Sequence, residues 1–209
     1  MTILEAIILG LLQGVTEFFP ISSSGHLVIA ENLFQLKVDD FFHFSVFVHI
    51  ATLLAVIIYF RNKLLSIAKG LISKDPNSQK LFISLIIATL PAILVALTLN
   101  DFINQIFNGL KPVLFAMIFT GLCFIIGESI ASKIKKEDSH SYLTALIVGI
   151  VQSIAIIPGI SRSGSTVIAG MLTGKTREQA AEFSFLMAIP AICGAGLFAI
   201  LDAMKTEIS

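Results

Sequence analysis

The sequence has no tryptophan, only two cysteines and little charge, with 14 basic and 14 acidic residues among 209. Charged residues make up 13% of the chain and hydrophobic residues 56%, and the mean hydropathy is +0.91. A soluble domain of this length needs far more charge on its surface, so the composition describes an integral membrane protein. The formal net charge is zero, which leaves no basic face for nucleic acid. Cys123 and Cys193 each lie within an apolar run. Two such residues exclude a disulfide framework and read as small buried hydrophobes. The first apolar run has no positive flank and carries Glu5, Gln13 and Glu17. That pattern argues against a cleavable signal peptide, and the run reads as part of the mature protein.

What the sequence does have is a series of apolar runs. Residues 2–20 form one that ends at Phe19-Pro20, and a shorter one covers 21–34. The first is about long enough to cross a bilayer and the second is too short. Around the break Pro-Ile-Ser-Ser-Ser-Gly they fit a re-entrant pair, which is allowed where protein or a polar cavity covers the broken backbone. Full spans follow at 44–60, at 81–99 with Pro91 as a potential kink, and at 112–130. Between them lie a basic loop, 61–80, and a short polar connection, 100–111. After the charged stretch 131–141 the opening plan recurs: an apolar run 142–158, the break Gly-Ile-Ser-Arg-Ser-Gly at 159–164, and a short run to 172. A polar segment, 173–182, precedes a last apolar run at 183–201.

The recurrence is a duplication. Shifting the chain by 139 aligns residues 6–30 with 145–169, and eleven of the 25 positions are identical. Chance would give roughly two, so the match marks an internal repeat. The register persists, with Phe44-Ser45 falling on Phe183-Ser184. Repeat one covers 1–141 and repeat two 142–209, within a single membrane domain. If each broken pair is re-entrant, repeat one crosses three times and repeat two is inverted. Placing 61–80, 131–141 and 173–182 in the cytoplasm puts ten Lys or Arg inside, against Lys37, Lys111 and Lys205 outside. That asymmetry follows the positive-inside preference. The expected fold is an all-α polytopic membrane protein with inverted-topology repeats, about four full spans and two re-entrant pairs. The pairs enter from opposite sides, and repeats with matching broken helices point to a site at their interface.

Loop one offers Glu17, Ser22, Ser23, Ser24 and His26, and loop two offers Ser161, Arg162, Ser163, Ser165 and Thr166. Ionisable groups at membrane depth are costly and mark function by default. Each loop leads into a short helix, whose first turn presents unpaired N–H groups and a positive dipole end. Two such ends with one arginine and several hydroxyls form an anion site suited to phosphate. Arg162 is the one basic residue expected at depth, so it needs a buried anion: a ligand phosphate or Glu17. Gln13 and Glu17 are four apart on one helix face, placed to hold a divalent cation or position water. Ser23 and His26 are three apart. They read as nucleophile and base, or His26 as the acid or base for attack by water. His26 alone would serve equally well as a helix hydrogen-bond partner. His43 and His49 read as interfacial or packing residues, His140 as solvated in a polar loop, and Glu128 as structural at the membrane edge.

At these residues the sequence resembles the undecaprenyl-diphosphatase family, also known as bacitracin-resistance proteins. One family motif is a Glu or Gln four residues before a Glu, followed by Pro-x-Ser-Ser-x-Gly-His. It appears as Gln13 through Glu17 and Pro20-Ile-Ser22-Ser23-Ser24-Gly25-His26. The second, Pro-Gly-x-Ser-Arg-Ser-Gly, appears as Pro158 to Gly164, with Thr166 following. Glu182-Phe183-Ser184-Phe185-Leu186 and Pro190 also match. The resemblance implies removal of one phosphate from undecaprenyl diphosphate, giving the monophosphate carrier lipid of cell-wall synthesis, and tolerance to bacitracin. It implies a divalent cation, Mg2+ or Ca2+, on Glu17 and Gln13. It implies Ser23 and His26 as catalytic groups with Glu17, and Arg162 on the diphosphate with Ser22, Ser24, Ser161, Ser163 and Thr166. The bacterial plasma (inner) membrane, an outward-facing site and a homodimer belong to the same implication. Two features depart from the pattern. Gln13 stands where many members have Glu, so the metal site carries one charge less. Repeat two also ends after its match to the first span, which reads as a short form or a truncated chain.

The residues admit two other functions. Inverted repeats with broken helices are also a transporter plan, so a polyprenyl-phosphate flippase is the alternative. An inactive truncated form is the other.

Overall fold

The computed structural model describes residues 1–107, 109–136 and 141–208; the side chains of residues 38–40, 42, 43, 100, 101, 104, 195 and 197–208 are outside the description. The expectations for His43 and His140 therefore lie outside the described residues. The described residues fold into helices only: α1 Ile3–Phe18, α2 Ser23–Phe34, α3 Val38–Tyr59, α4 Arg61–Ile72, α5 Pro76–Ile106, α6 Leu110–Ala131, α7 Tyr142–Ile154, α8 Arg162–Leu172 and α9 Arg177–Ile208. The chain is an all-α polytopic membrane protein.

Both broken pairs form as short helices packed on each other, α1 on α2 and α7 on α8. Thr2 and Glu5 start α1 by capping one another's backbone N–H groups. Pro20 lies just beyond its end. Ser22 caps α2 by accepting from the Gly25 N–H at 3.2 Å. Ser161 caps α8 by accepting from the Gly164 N–H at 3.2 Å. These cap residues correspond across the 139-residue shift, so the duplication seen in sequence is repeated in hydrogen bonds. Both short helices end at a left-handed residue in matching positions, Gln35 and Gly174.

α5 and α6 are long and apolar enough to cross a membrane. α3 and α4 together make a third candidate, bent by 68° at Phe60. α9 starts at Arg177, inside the segment expected to be a polar connection, and much of it lies beyond the described side chains. Pro91 sits inside α5 without ending it, and α5 runs on to Ile106, replacing most of the expected polar connection 100–111. The basic loop expected at 61–80 is instead a helix over Arg61–Ile72. Its Ile67 is buried, and Leu64 and Leu71 pack on the core, a helical spacing that the lysines obscure in the sequence.

Packing follows the hairpins. Leu9, Leu27, Ala30 and Val48 form one buried cluster around α1, α2 and α3. A larger one joins α4, α5, α7, α8 and α9, with Ala88, Val148, Leu186 and Met187 at its centre. Lipid offers no hydrophobic drive for helix association, so close van der Waals fit decides. A Cβ on Gly149 would lie 2.5 Å from the Ala88 carbonyl oxygen, so glycine there lets α7 approach the α5 backbone. α6 braces both hairpins, with Met117 against Gly25 and Phe124 against Gly164. The cysteines are free and exposed rather than buried, since the outward faces of these helices are apolar.

Three segments placed together by charge also meet in space. Lys63 on α4 pairs with Glu182 on α9 at 2.8 Å. Arg177 pairs with Glu128 of α6, which gives Glu128 the structural role its position implied. Lys136 donates to the last carbonyls of α6 and α8, Ala131 at 2.7 Å and Met171 at 3.2 Å.

Candidate active site

The site is built where the tips of the two hairpins meet. Glu17, in the last turn of α1, is its centre and is buried. Arg162 opens α8 and forms an ion pair with Glu17 Oε1, across 145 positions of sequence. Ser23 opens α2 and donates to Glu17 Oε2 at 2.5 Å. Ser23 and Arg162 are equivalent positions of the two repeats, so the first residue of each short helix reaches the same carboxylate. Gln13, one turn before Glu17, donates to Oε2 at 3.2 Å. Its own Oε1 is buried without a partner.

The tips are also stitched through backbone. The Gly159 N–H donates to Ser24 Oγ at 3.4 Å, and Ser163 Oγ donates to the Glu17 carbonyl at 3.4 Å. Gly159 has φ of +95°, and Thr120 of α6 donates to its carbonyl at 3.3 Å. Ser22 holds φ of 69°, a conformation costly for a residue with a side chain and found where surrounding structure imposes it. Its counterpart Ser161 is relaxed, at φ −71°.

The expected residues are brought together unevenly. Glu17, Ser23, Gln13, Arg162 and Ser163 converge, with Ser24 at the seam. Ser161 is buried as the cap of α8. Thr166 is buried, bonded to the Arg162 carbonyl at 2.8 Å and to Ser184 Oγ at 2.6 Å, so it props loop two from beneath. Among the described residues, no hydrogen bond joins Ser23 to His26. The serine is turned to Glu17, and His26 donates through Nδ1 to the Ser22 carbonyl at 2.8 Å. A ring nitrogen against a carbonyl must carry the proton, which leaves Nε2 of His26 as the exchangeable one.

His49, read from the sequence as packing, belongs to the site. Its Nδ1 donates to the Ser45 carbonyl at 2.7 Å, and its Nε2 lies 4.0 Å from Glu17 Oε2. Ser45, His49 and Thr52 follow one another at helical spacing on α3; that polar stripe in an apolar helix is the signal that finds it. A narrow cleft lies beside the Glu17–Arg162 pair and is lined by Glu17, Arg162, Ser163, Ser184, Thr52, Val56, Phe18 and Phe185. Those two rings are 5.9 Å apart. The guanidinium, hydroxyls and the N-terminus of α8 form a polar wall suited to an anion, and phenylalanine and valine form an apolar one. The lining matches the two halves of an amphiphile with a charged head.

Two interrupted helical hairpins joined at an Arg–carboxylate pair define a polytopic membrane protein with a polar site between its repeats. The chain matches the family described as bacitracin resistance protein BacA over residues 6–209, and it belongs to that family. It is 39% identical over 206 residues to the undecaprenyl-diphosphatase of Methanococcus maripaludis strain C6, covering 99% of this chain and 81% of that protein. It is 40% identical over 203 residues to the undecaprenyl-diphosphatase of Thermosipho africanus, covering 97% and 79%. The undecaprenyl-diphosphatase of Halothermothrix orenii is 38% identical over 208 residues, covering 100% and 78%.

Proposed function

We propose that this protein is an undecaprenyl-diphosphatase, a membrane hydrolase that cleaves the diphosphate of a polyprenyl lipid to the monophosphate and inorganic phosphate. Family membership and the names of its relatives support the reaction and its tie to carrier-lipid recycling and bacitracin resistance. The observation that carries the reading at atomic level is the sharing of Glu17 between Ser23 and Arg162. A diphosphate entering the cleft competes with Glu17 for the guanidinium. Arg162 then binds phosphate oxygens as a planar fork, and the freed carboxylate faces the serine.

The short bond from Ser23 supports a role as nucleophile, with Glu17 rather than His26 as proton acceptor. Ser23 Oγ attacks the terminal phosphorus while its proton passes to Glu17. The bridging P–O bond breaks, and the lipid monophosphate leaves. Water then cleaves the serine phosphate and releases inorganic phosphate. His26 Nε2, the unprotonated nitrogen while Nδ1–H is held by the Ser22 carbonyl, is suited to take a proton from the water that cleaves the serine phosphate. The N-termini of α2 and α8 supply backbone N–H groups for the charge that builds on the phosphoryl oxygens.

A divalent cation, Mg2+ or Ca2+, belongs to the same proposal. The partnerless Gln13 Oε1, the Glu17 carboxylate and the Ser23 hydroxyl fit a hard, oxygen-seeking ion. Among the described residues no three His, Cys, Asp or Glu side chains cluster for a metal, so phosphate and water oxygens would complete its shell. The ion would neutralise charge on the diphosphate. The protein is placed in the plasma membrane with the site reached from the outer side, which the charge asymmetry of the connecting segments supports.

The test is phosphate release by the purified protein in detergent with farnesyl diphosphate. Wild type is expected to release phosphate. Glu17→Ala, Ser23→Ala and Arg162→Ala are expected to lose at least about a hundredfold in rate. No release from a folded wild-type sample rejects the function, and full activity in Ser23→Ala rejects the nucleophile.

A further inference from the structure

α4 has no part in the chemistry just described, yet it is built for a ligand of its own. It leaves α3 at 68° and is held inward by buried Ile67 and Gly70. Gly70 is packed so closely that a Cβ there would lie 2.0 Å from Ser78 Oγ. Lys63 is occupied with Glu182 at 2.8 Å. The other side of the helix is exposed and divided lengthwise. Leu65 and Ile72, 57% and 85% exposed, form an apolar edge. Beside them Asn62, Ser66 and Lys69 follow at four and three residues, one polar strip of a helix. These three, with Leu65, line an open hollow. Residues 61–80 carry five Lys or Arg against Asp75 alone.

A helix turned away from its span, with an apolar edge flanked by basic and hydrogen-bonding groups, lies in the plane of the membrane interface. We propose that the outer strip of α4 binds the headgroup of an anionic phospholipid. The lipid phosphate sits in the hollow, receiving hydrogen bonds from Asn62, Ser66 and the Lys69 ammonium. Leu65 and Ile72 lie among the upper acyl carbons. Charge selects the occupant: a zwitterionic headgroup carries its own cation and gains little from Lys69, whereas an anionic one gains roughly fivefold in affinity per basic residue. The site is distinct from the catalytic cleft, because none of its four lining residues lines that cleft.

The experiment uses the full chain in detergent, titrated with dioleoyl phosphatidylglycerol or dioleoyl phosphatidylcholine. Bound lipid is counted by native mass spectrometry, and lipid-induced thermal stabilisation is read in parallel. Wild type is expected to prefer phosphatidylglycerol by roughly fivefold. Asn62→Ala/Ser66→Ala/Lys69→Gln and the charge-reversed Lys69→Glu are expected to lose that preference. All three positions are exposed, so the variants keep the fold, which circular dichroism checks. Lys133→Gln, at an exposed lysine of another basic segment, is expected to keep it. Absence of preference in wild type, retention in both α4 variants, or an equal loss in Lys133→Gln overturns the proposal, the last by showing that only diffuse charge attracts the lipid.

Discussion

Glu17 is the residue on which the two repeats converge, and it has no counterpart in repeat two, where the matching position is Ile156. One carboxylate therefore serves a pair of otherwise matching helix starts. His49 faces that carboxylate from α3. Its tautomer is fixed by Ser45, so its Nε2 is the group turned to Glu17. We expect His49→Leu to lower turnover by about tenfold, roughly 1.4 kcal/mol of barrier, because it replaces the polar ring 4.0 Å from Glu17 Oε2 with an apolar side chain. His49→Gln, which keeps a polar group at this position, is expected to retain most of it. A steady-state split decides the matter: a fall in kcat with KM little changed marks a positioning role, and an unchanged kcat in His49→Leu removes His49 from the site. Glu17, Ser23 and Arg162 were legible in the sequence because polar and charged groups stand out in apolar runs. His49 was hidden, because it becomes part of the site only through the packing of α3 on α1. Ser23 and His26 bond to other partners for a related reason: helical spacing places two side chains on one face, but it cannot say which nearer acceptor will capture the hydroxyl.

At the scale of elements, the two short helices are equivalent in sequence but not in how tightly they are gripped. Gly25 and Gly164 correspond, and both face α6. A Cβ on Gly25 would meet the Met117 sulfur at 2.5 Å, whereas one on Gly164 would fall 1.8 Å from a ring atom of Phe124. Methionine bends at three torsions to adapt; the phenylalanine ring moves only as a rigid plane. Gly164→Ala is accordingly expected to cost about 1–3 kcal/mol by overpacking and to disturb Arg162 two residues earlier. Gly25→Ala is expected to cost less. Thermal unfolding of both variants in detergent checks the order, and equal melting temperatures would show that α6 does not discriminate between the hairpins. The duplication, the breaks and most spans could be read from the 3.6-residue pattern and the Pro and Ser punctuation. α4 could not, since its lysines made a helix with one buried face look like a loop.

For the molecule as a whole, everything rests on inverted hairpins whose tips meet. The ion pairs joining α4 to α9 and α6 to α9 gather the three basic segments at one end, and α3 and α5 separate that end from the α2–α3 and α5–α6 connections. Topology then makes a prediction about access. Cys123 and Cys193 are exposed toward lipid, so they are first replaced by serine. In that background Lys37→Cys and Lys111→Cys, both at exposed positions, are expected to react with a membrane-impermeant maleimide in intact cells. Asn77→Cys, exposed in the first turn of α5, is expected to react only after permeabilisation. Labelling of Asn77→Cys from outside would place both ends of α3 on one side, and the positive-inside asymmetry would lose its meaning. Addition of a diphosphate lipid should leave all three labelling patterns unchanged, because the cleft lies between the tips and not at either connection. If the lipid instead shields Asn77→Cys while sparing Lys37→Cys, the substrate enters from the basic end, and the outer-side placement of the reaction is reversed.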